Sequence, residues 1–221
     1  MDGAYMAIDP SKFHLVNVAD TCSVWNILSS ARLHSAARDA RCDFCITSFV
    51  RYECLVKPRK TPTEADHELR RRLLGEQRNG NFQAHSCDID DLQDVTVLRD
   101  RKRLGMGEIS SIAFAMKIHQ AVITDDQKAR KLAQAAGHHL VQTTPHLFAW
   151  LIFTGGLGDS DHAVVVNQHK ALQGDLEPHL NDAYTLALQC RLNSRPVASA
   201  PEAASPPTAA DVTTPAEPKS E

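Results

Sequence analysis

Acidic side chains stand at four separated places in this chain, each where a strand or helix would end or begin. Asp20 closes the apolar run 15–19, and Glu53 follows the run 46–50. Glu108 opens a helix after Gly105-Met106-Gly107, and Asp125 and Asp126 close the run 121–124. Carboxylates spread along a sequence but placed alike on a fold can converge on one spot. Because they repel, folding alone gives no reason to gather them. A divalent cation does, since hard oxygen ligands suit Mg2+ or Mn2+. Two such ions about 3.5–4 Å apart clamp the attacking and leaving oxygens of a phosphodiester and acidify a bound water. That chemistry requires no basic histidine, and the eleven histidines show no HExxH or other ligand spacing.

The elements that must position these acids alternate. Strands are expected at 15–19, 44–48, 121–124 and 140–142, the run 95–98 being a strand or a helix start. Helices are expected over 23–41, through Val50 to Val56, from the capping signal Thr61-Pro62-Thr63-Glu64 to Asn79-Gly80, over 108–119, 127–136 and 145–153, and over 176–192. Alternating strands and helices predict an α/β fold with a mostly parallel central sheet flanked by helices. In such sheets ligands bind beyond the carboxyl ends of the strands, where Asp20 and Asp125 stand.

The chain has 221 residues, 43 % of them hydrophobic, which suits one domain of ordinary size. The expected organisation is a loose lead-in over 1–12, a domain over 13–194 and a tail over 195–221. Within the domain we expect a helical insert at about 57–90 and a C-terminal helical extension at about 145–194. The tail is rich in Pro and Ala and poor in large apolar residues, so it reads as disordered. A net charge of −3 and a pI of about 6.4 leave no global basic field, so any nucleic-acid contact must be local. Six cysteines with no leader-like N-terminus predict free thiols and a cytoplasmic location, and no apolar run approaches the roughly 20 residues a membrane span needs.

In order along the chain, Asp20-Thr21-Cys22-Ser23, then Arg51-Tyr52-Glu53-Cys54-Leu55, then Leu104-Gly105-Met106-Gly107-Glu108 running to Ala113 and Ala115, then Ile123-Thr124-Asp125-Asp126 with Ala129-Arg130 and Ala133 form a set. Over about residues 15–141 that set resembles the PIN-domain nucleases, VapC-type toxins among them. The resemblance implies a three-layer PIN-like fold and a Mg2+- or Mn2+-dependent endoribonuclease. It implies Asp20, Glu53 and Glu108 as metal ligands, with Asp126 or Asp125 as the fourth. Thr21, Ser23 and Thr124 match positions where the family often has a hydroxyl near metal or phosphate. VapC-type toxins are usually held inactive by a cognate antitoxin, so a small inhibitory protein is an implied partner, alongside RNA. The long segment between Glu53 and Glu108, the helical continuation past Leu140 and the proline-rich tail depart from compact toxins. Two rivals remain open: a PIN-like scaffold that has lost its metal, and a metal nuclease acting on DNA or structured flaps.

Other features have a plain reading beside the chemical one. Arg101-Lys102-Arg103, just before the Gly-Glu motif, is placed to bind phosphates or is simply solvated. Arg70-Arg71-Arg72 is equally a solvated helix face. Cys42 and Cys45 form a lone CxxC without the second pair that zinc would need, so buried thiols are expected. The run 147–153, with Trp150, is expected in the core, a homodimer or antitoxin surface being the alternative. Gly105-Met106-Gly107 lacks the third glycine of a dinucleotide fingerprint, and Asp20-Thr21-Cys22 lacks the second aspartate of a haloacid-type phosphatase.

Overall fold

In the computed structural model, residues 8–88, 90–93 and 104–194 are described. The run 95–98, the basic triplet Arg101, Lys102 and Arg103, and the tail from 195 lie outside the described residues.

Among the described residues, five strands form one sheet, all parallel: β1 (Val16–Ala19), β2 (Asp43–Thr47), β3 (Gln83–His85), β4 (Ala121–Ile123) and β5 (Val141–Gln142), in the order β3-β2-β1-β4-β5. Both faces are covered, which is why the inner strands read as continuous apolar runs. Val18, Val122 and Val141 face one hydrophobic cluster, with helices α5 (Met106–Lys117) and α6 (Gln127–Ala135). Ala19, Phe44, Ile46 and Ile123 face the other. That second cluster takes in α1 (Thr21–Ser29), α2 (Ala31–Asp39), α3 (Ser48–Leu55), α4 (Glu64–Arg78), α7 (Thr144–Thr154), α8 (Asp159–Ala171) and α9 (Glu177–Ser194). The result is a three-layer α/β architecture, as the alternation of elements predicts.

Local sequence explains most boundaries. The helix expected over 23–41 is two helices, because Ser30 leaves helical geometry (φ −110°, ψ 110°) and its Oγ accepts the Leu33 amide at 3.1 Å. A serine there starts a second helix instead of continuing the first. The cap of α4 is Thr63, with Pro62 just outside: Thr63 Oγ1 accepts from Asp66 N at 3.2 Å, and Asp66 Oδ2 accepts from Thr63 N at 2.9 Å. Gly155 closes α7 in the left-handed conformation (φ +83°), which a side chain would disfavour. The stretch 57–90 supplies α4 and the edge strand β3.

The C-terminal helices are bound into this body. Arg32 on α2 makes a two-pronged ion pair with Asp161 on α8, at 2.7 and 2.9 Å. The buried ring of His169 joins three segments: Nδ1 lies 2.6 Å from Ser29 Oγ, and Nε2 accepts from Leu176 N at 3.0 Å. Ser29 Oγ already donates to Asn26 O at 2.6 Å, so His169 Nδ1 carries the hydrogen toward it. Gly174 lies so close against this ring that a Cβ would overlap it. The run 147–153 is core, with Leu147, Phe148, Ala149, Leu151 and Ile152 buried and Trp150 stacked on Phe13 at 5.2 Å. Among the described residues, no helix is long and apolar enough to cross a membrane.

Phe82 is wholly buried and stacks on Phe44 with ring centroids 5.6 Å apart, pinning the start of β3 to β2. Phe82→Ala is expected to cost about 3–5 kcal/mol of unfolding free energy, as truncation of a fully buried aromatic does. Urea denaturation checks this, and a loss below about 1 kcal/mol would contradict the packing.

Candidate functional site

All five strands run the same way, so their carboxyl ends share one edge. The chain leaves β1 for β2 and β3 on one side and returns to β4 and β5 on the other, which makes the β1–β4 seam the switch point of the sheet. Register then decides who meets whom. Ala19 pairs with Ile123, so the next residues, Asp20 and Thr124, lie side by side, and Thr124 Oγ1 donates to Asp20 Oδ2 at 2.5 Å. Ile123 pairs with Gln142, which brings Asp125 to the start of α7. There Asp125 accepts from Thr144 N at 2.8 Å and Thr144 Oγ1 at 2.7 Å. Asn26 Nδ2 on α1 adds a third bond to Asp125 at 2.8 Å, and Ser23 Oγ a longer one at 3.4 Å. Asp20 also caps α1, its Oδ1 accepting from Ser23 N at 2.8 Å.

Glu53 and Glu108 form the second half of the site. Glu53 projects from α3, and its Oε2 accepts from Thr21 Oγ1 at 2.6 Å. Glu108 lies in the first turn of α5, where a negative charge suits the helix dipole. The two carboxylates meet over the glycines at the start of that helix. A Cβ on Gly107 would overlap Glu53 Oε2 and lie 2.9 Å from Thr21 Oγ1. A Cβ on Gly105 would lie 2.7 Å from Glu108 Oε2 and 3.6 Å from Glu53 Oε1. Small residues continue along α5: Ser111 Oγ donates to Gly107 O at 2.9 Å and lies 3.3 Å from Ala19 O. The Gly-rich start and the serines therefore let α5 press against the end of β1.

The electrostatics match this crowding. Burial pushes the Asp20 carboxyl up from its ordinary 3.8 to about 7, and the charge of Asp125 adds to the rise. Hydrogen bonds from Thr124 and Ser23 oppose it without cancelling it. The Cys22 thiol, on an exposed residue, is pushed up to about 12, first by the protein packed around the sulfur and then by the nearby acids, Asp20 foremost. Glu108 Oε2 is buried and has no hydrogen-bond partner. A buried carboxylate oxygen without a donor is costly, and such groups call for an explanation.

The expected residues divide by position. Asp20 and Asp125 share one half of the site, and Glu53 and Glu108 the other. Asp126 caps α6, its Oδ1 accepting from Lys128 N at 2.6 Å and Ala129 N at 2.8 Å, while its side chain lines the rim. Among the described residues, no three or more His, Cys, Asp or Glu side chains are grouped closely enough to hold one metal ion between them. The hydroxyls of Thr21, Ser23 and Thr124 each bond a carboxylate: Glu53, Asp125 and Asp20 respectively. Their role in this arrangement is to orient acids. The sequence reading missed Asn26 and Thr144. Asn26 lies one helical turn after Cys22, a spacing that puts both on one face and was available as a signal. Nothing in the sequence pointed to Thr144, because its role depends on the β4–β5 register.

Two clefts flank the acids. One, of about 450 Å³, is lined by Asn26, Asp125, Asp126, Arg130, Asp175 and His179. The other, of about 540 Å³, opens beside Glu53 on the far side. The arginine run of α4 is engaged in structure. Arg71 and Arg72 both pair with Glu68, and Arg72 also donates to Leu28 O and Ser29 O, satisfying carbonyls at the end of α1. All six cysteines are free thiols, and burial pushes Cys42 up to about 12 and Cys45 to about 11. A scan of protein-family models and a search of curated proteins both return no match for this chain.

The raised Asp20 pKa has a sign that can be checked. The folded state holds this proton more tightly than the unfolded chain, so its contribution to stability is present below about pH 4 and is lost as pH rises toward about 7. In EDTA, replacing Asp20 with Asn should remove that part of the pH dependence and leave the variant at least as stable as the parent at pH 8. Asn still caps a helix. Melting curves from pH 5 to 8 test this, and a variant markedly less stable than the parent at pH 8 would refute it.

Proposed function

We propose that this protein is a Mg2+- or Mn2+-dependent nuclease that hydrolyses RNA phosphodiesters at the carboxyl edge of the sheet. The observation that carries the reading is Glu108 Oε2, buried and without a donor, beside Gly105 where the Glu53 carboxylate also lies, at the same edge as the buried Asp20 and its neighbour Asp125. Acids at a sheet switch point, supported by neutral hydroxyls and amides, make a hard all-oxygen donor set. The donor types suit a divalent cation, but the acids stand as two separate pairs, so the two halves would have to draw together on the ion. Asp20, Glu53 and Glu108 would then hold it, with Asp125 or Asp126.

When bound, the metal supplies charge for the phosphodiester oxygens and an acidified water. The chain's own residues prepare for that. Thr124 and the Ser23 amide hold Asp20 in one orientation, and Thr21 holds Glu53. Asn26 and Thr144 fix Asp125, so that its charge bears on Asp20. Asp126 holds the first turn of α6 in place behind the rim. No side chain is assigned as a general base. A toxin role, with a small inhibitory protein partner, is the finer form of the same proposal.

The test is cleavage of a panel of labelled RNA and single-stranded DNA by the parent, Asp20→Asn and Glu108→Gln, with Mg2+, Mn2+ or EDTA. Loss of a ligand is expected to lower cleavage by more than about 100-fold, at least the upper end of what loss of supporting groups around a metal costs. EDTA should abolish cleavage, and Mn2+ should raise the melting temperature of the parent but not of Asp20→Asn. A folded Asp20→Asn variant with full activity would overturn the proposal. Absence of both cleavage and metal stabilisation would leave a binding protein as the reading.

A further inference from the structure

The cleft beside Glu53 is chemically unlike the one beside Asp125. It is lined by Phe49, Tyr52 and Met106, together with Ser48, Glu53, Lys57 and Gly105. Tyr52 is half exposed, at 50 %, on the outer face of α3. Neither Phe49 nor Tyr52 takes part in an aromatic ring contact among the described residues. One turn of α3 carries both the ring and the acid, since Tyr52 directly precedes Glu53. Gly105 likewise belongs to both, lining the cleft while lying against the Glu53 and Glu108 carboxylates.

From this we infer that the cleft is a nucleobase subsite: it stacks an unpaired base of a single-stranded nucleic acid on Tyr52, next to the phosphodiester presented to Glu53. The inference rests on the nuclease reading and adds a substrate class to it. A flat, exposed aromatic ring with apolar neighbours is the surface on which unpaired bases stack, and it tolerates any base because every base has a π face. Lys57, which lines the same cleft, supplies the positive charge that a flanking phosphate needs. A paired base has both faces covered within its duplex and cannot use the ring. The subsite therefore selects single strands, by stacking and not by hydrogen-bond readout of sequence.

The experiment uses the full chain in EDTA, so that binding is read without cleavage. Fluorescence anisotropy is followed with a labelled single-stranded oligoribonucleotide, its deoxyribose counterpart, a duplex, and a single strand carrying an abasic position at its centre. The proteins are the parent, Tyr52→Ala and Tyr52→Phe. The parent and Tyr52→Phe are expected to bind the single strand alike, and Tyr52→Ala about tenfold more weakly, within the range that loss of one stacked base produces. The abasic strand should shrink that difference, and the duplex should bind weakly to all three. Equal deoxyribose binding supports the subsite and places the choice of sugar elsewhere. Strong single-strand binding unchanged by Tyr52→Ala overturns the subsite and leaves the nuclease reading standing. Absence of any single-strand binding by the folded parent overturns the subsite, while the nuclease reading is decided by the metal-dependent cleavage assay. Sedimentation of the same proteins covers the other occupant: a dimer that Tyr52→Ala converts to monomer assigns this face to a second copy and overturns the subsite.

Discussion

A buried carboxylate must be kept where water cannot reach it, and Asp20 sets that problem for the rest of the molecule. It stands at the end of the central strand with no exposed surface, and burial favours its protonated form. Only what packs around it can offset that cost. The amide of Ser23 and the hydroxyl of Thr124 do so in part, and both are delivered by the backbone: one by the first turn of α1, the other by the β1–β4 register. If that register slipped by one residue, Thr124 would face away and Asp20 would lose its donor. The parallel sheet is thus a device for bringing donors from distant parts of the chain to one acid.

The same logic runs outward. Asp125 needs Thr144, so the β4–β5 pair and the start of α7 are fixed by the site as well as by the core. Glu53 needs Thr21, and both need the missing side chain at Gly107. The donors that hold Asp20, Asp125 and Glu53 are neutral hydroxyls and amides. The arginines of α4 are engaged elsewhere: Arg71 and Arg72 are committed to Glu68, and Arg72 also to the end of α1.

How much of this could be read from the sequence follows from what each feature depends on. The strands β1, β2 and β4 announce themselves because burial on both faces demands apolar runs. β3 does not: Gln83, Ala84 and His85 are all exposed, and an edge strand of three residues is specified by its neighbour β2 and by Phe82, not by its own side chains. The break at Ser30 hides inside a helical period because one capping hydroxyl decides it. α8 falls inside the expected helical extension but carries no boundary signal of its own, because its run of valines disfavours a helix locally and is overruled by packing. At the site, the acids were legible as types at element ends. Their division into two pairs was not, nor was the turning of three hydroxyls onto carboxylates, because both depend on register and on the close approach of α5.

The contact between Gly174 and the ring of His169 reaches further than its location implies. It fixes the loop between α8 and α9 by surface fit, with one histidine answering to Ser29 on α1 and to Leu176 at the end of the loop. Asp175 and His179, which line the acidic cleft, follow within five residues of that glycine. The C-terminal helices therefore act as a gauge for the width of the cleft. A lineage that inserted or lost a residue in this loop would retune the cleft without touching a single acid, so variation in the extension is a route by which such a fold can change what it admits while keeping its chemistry.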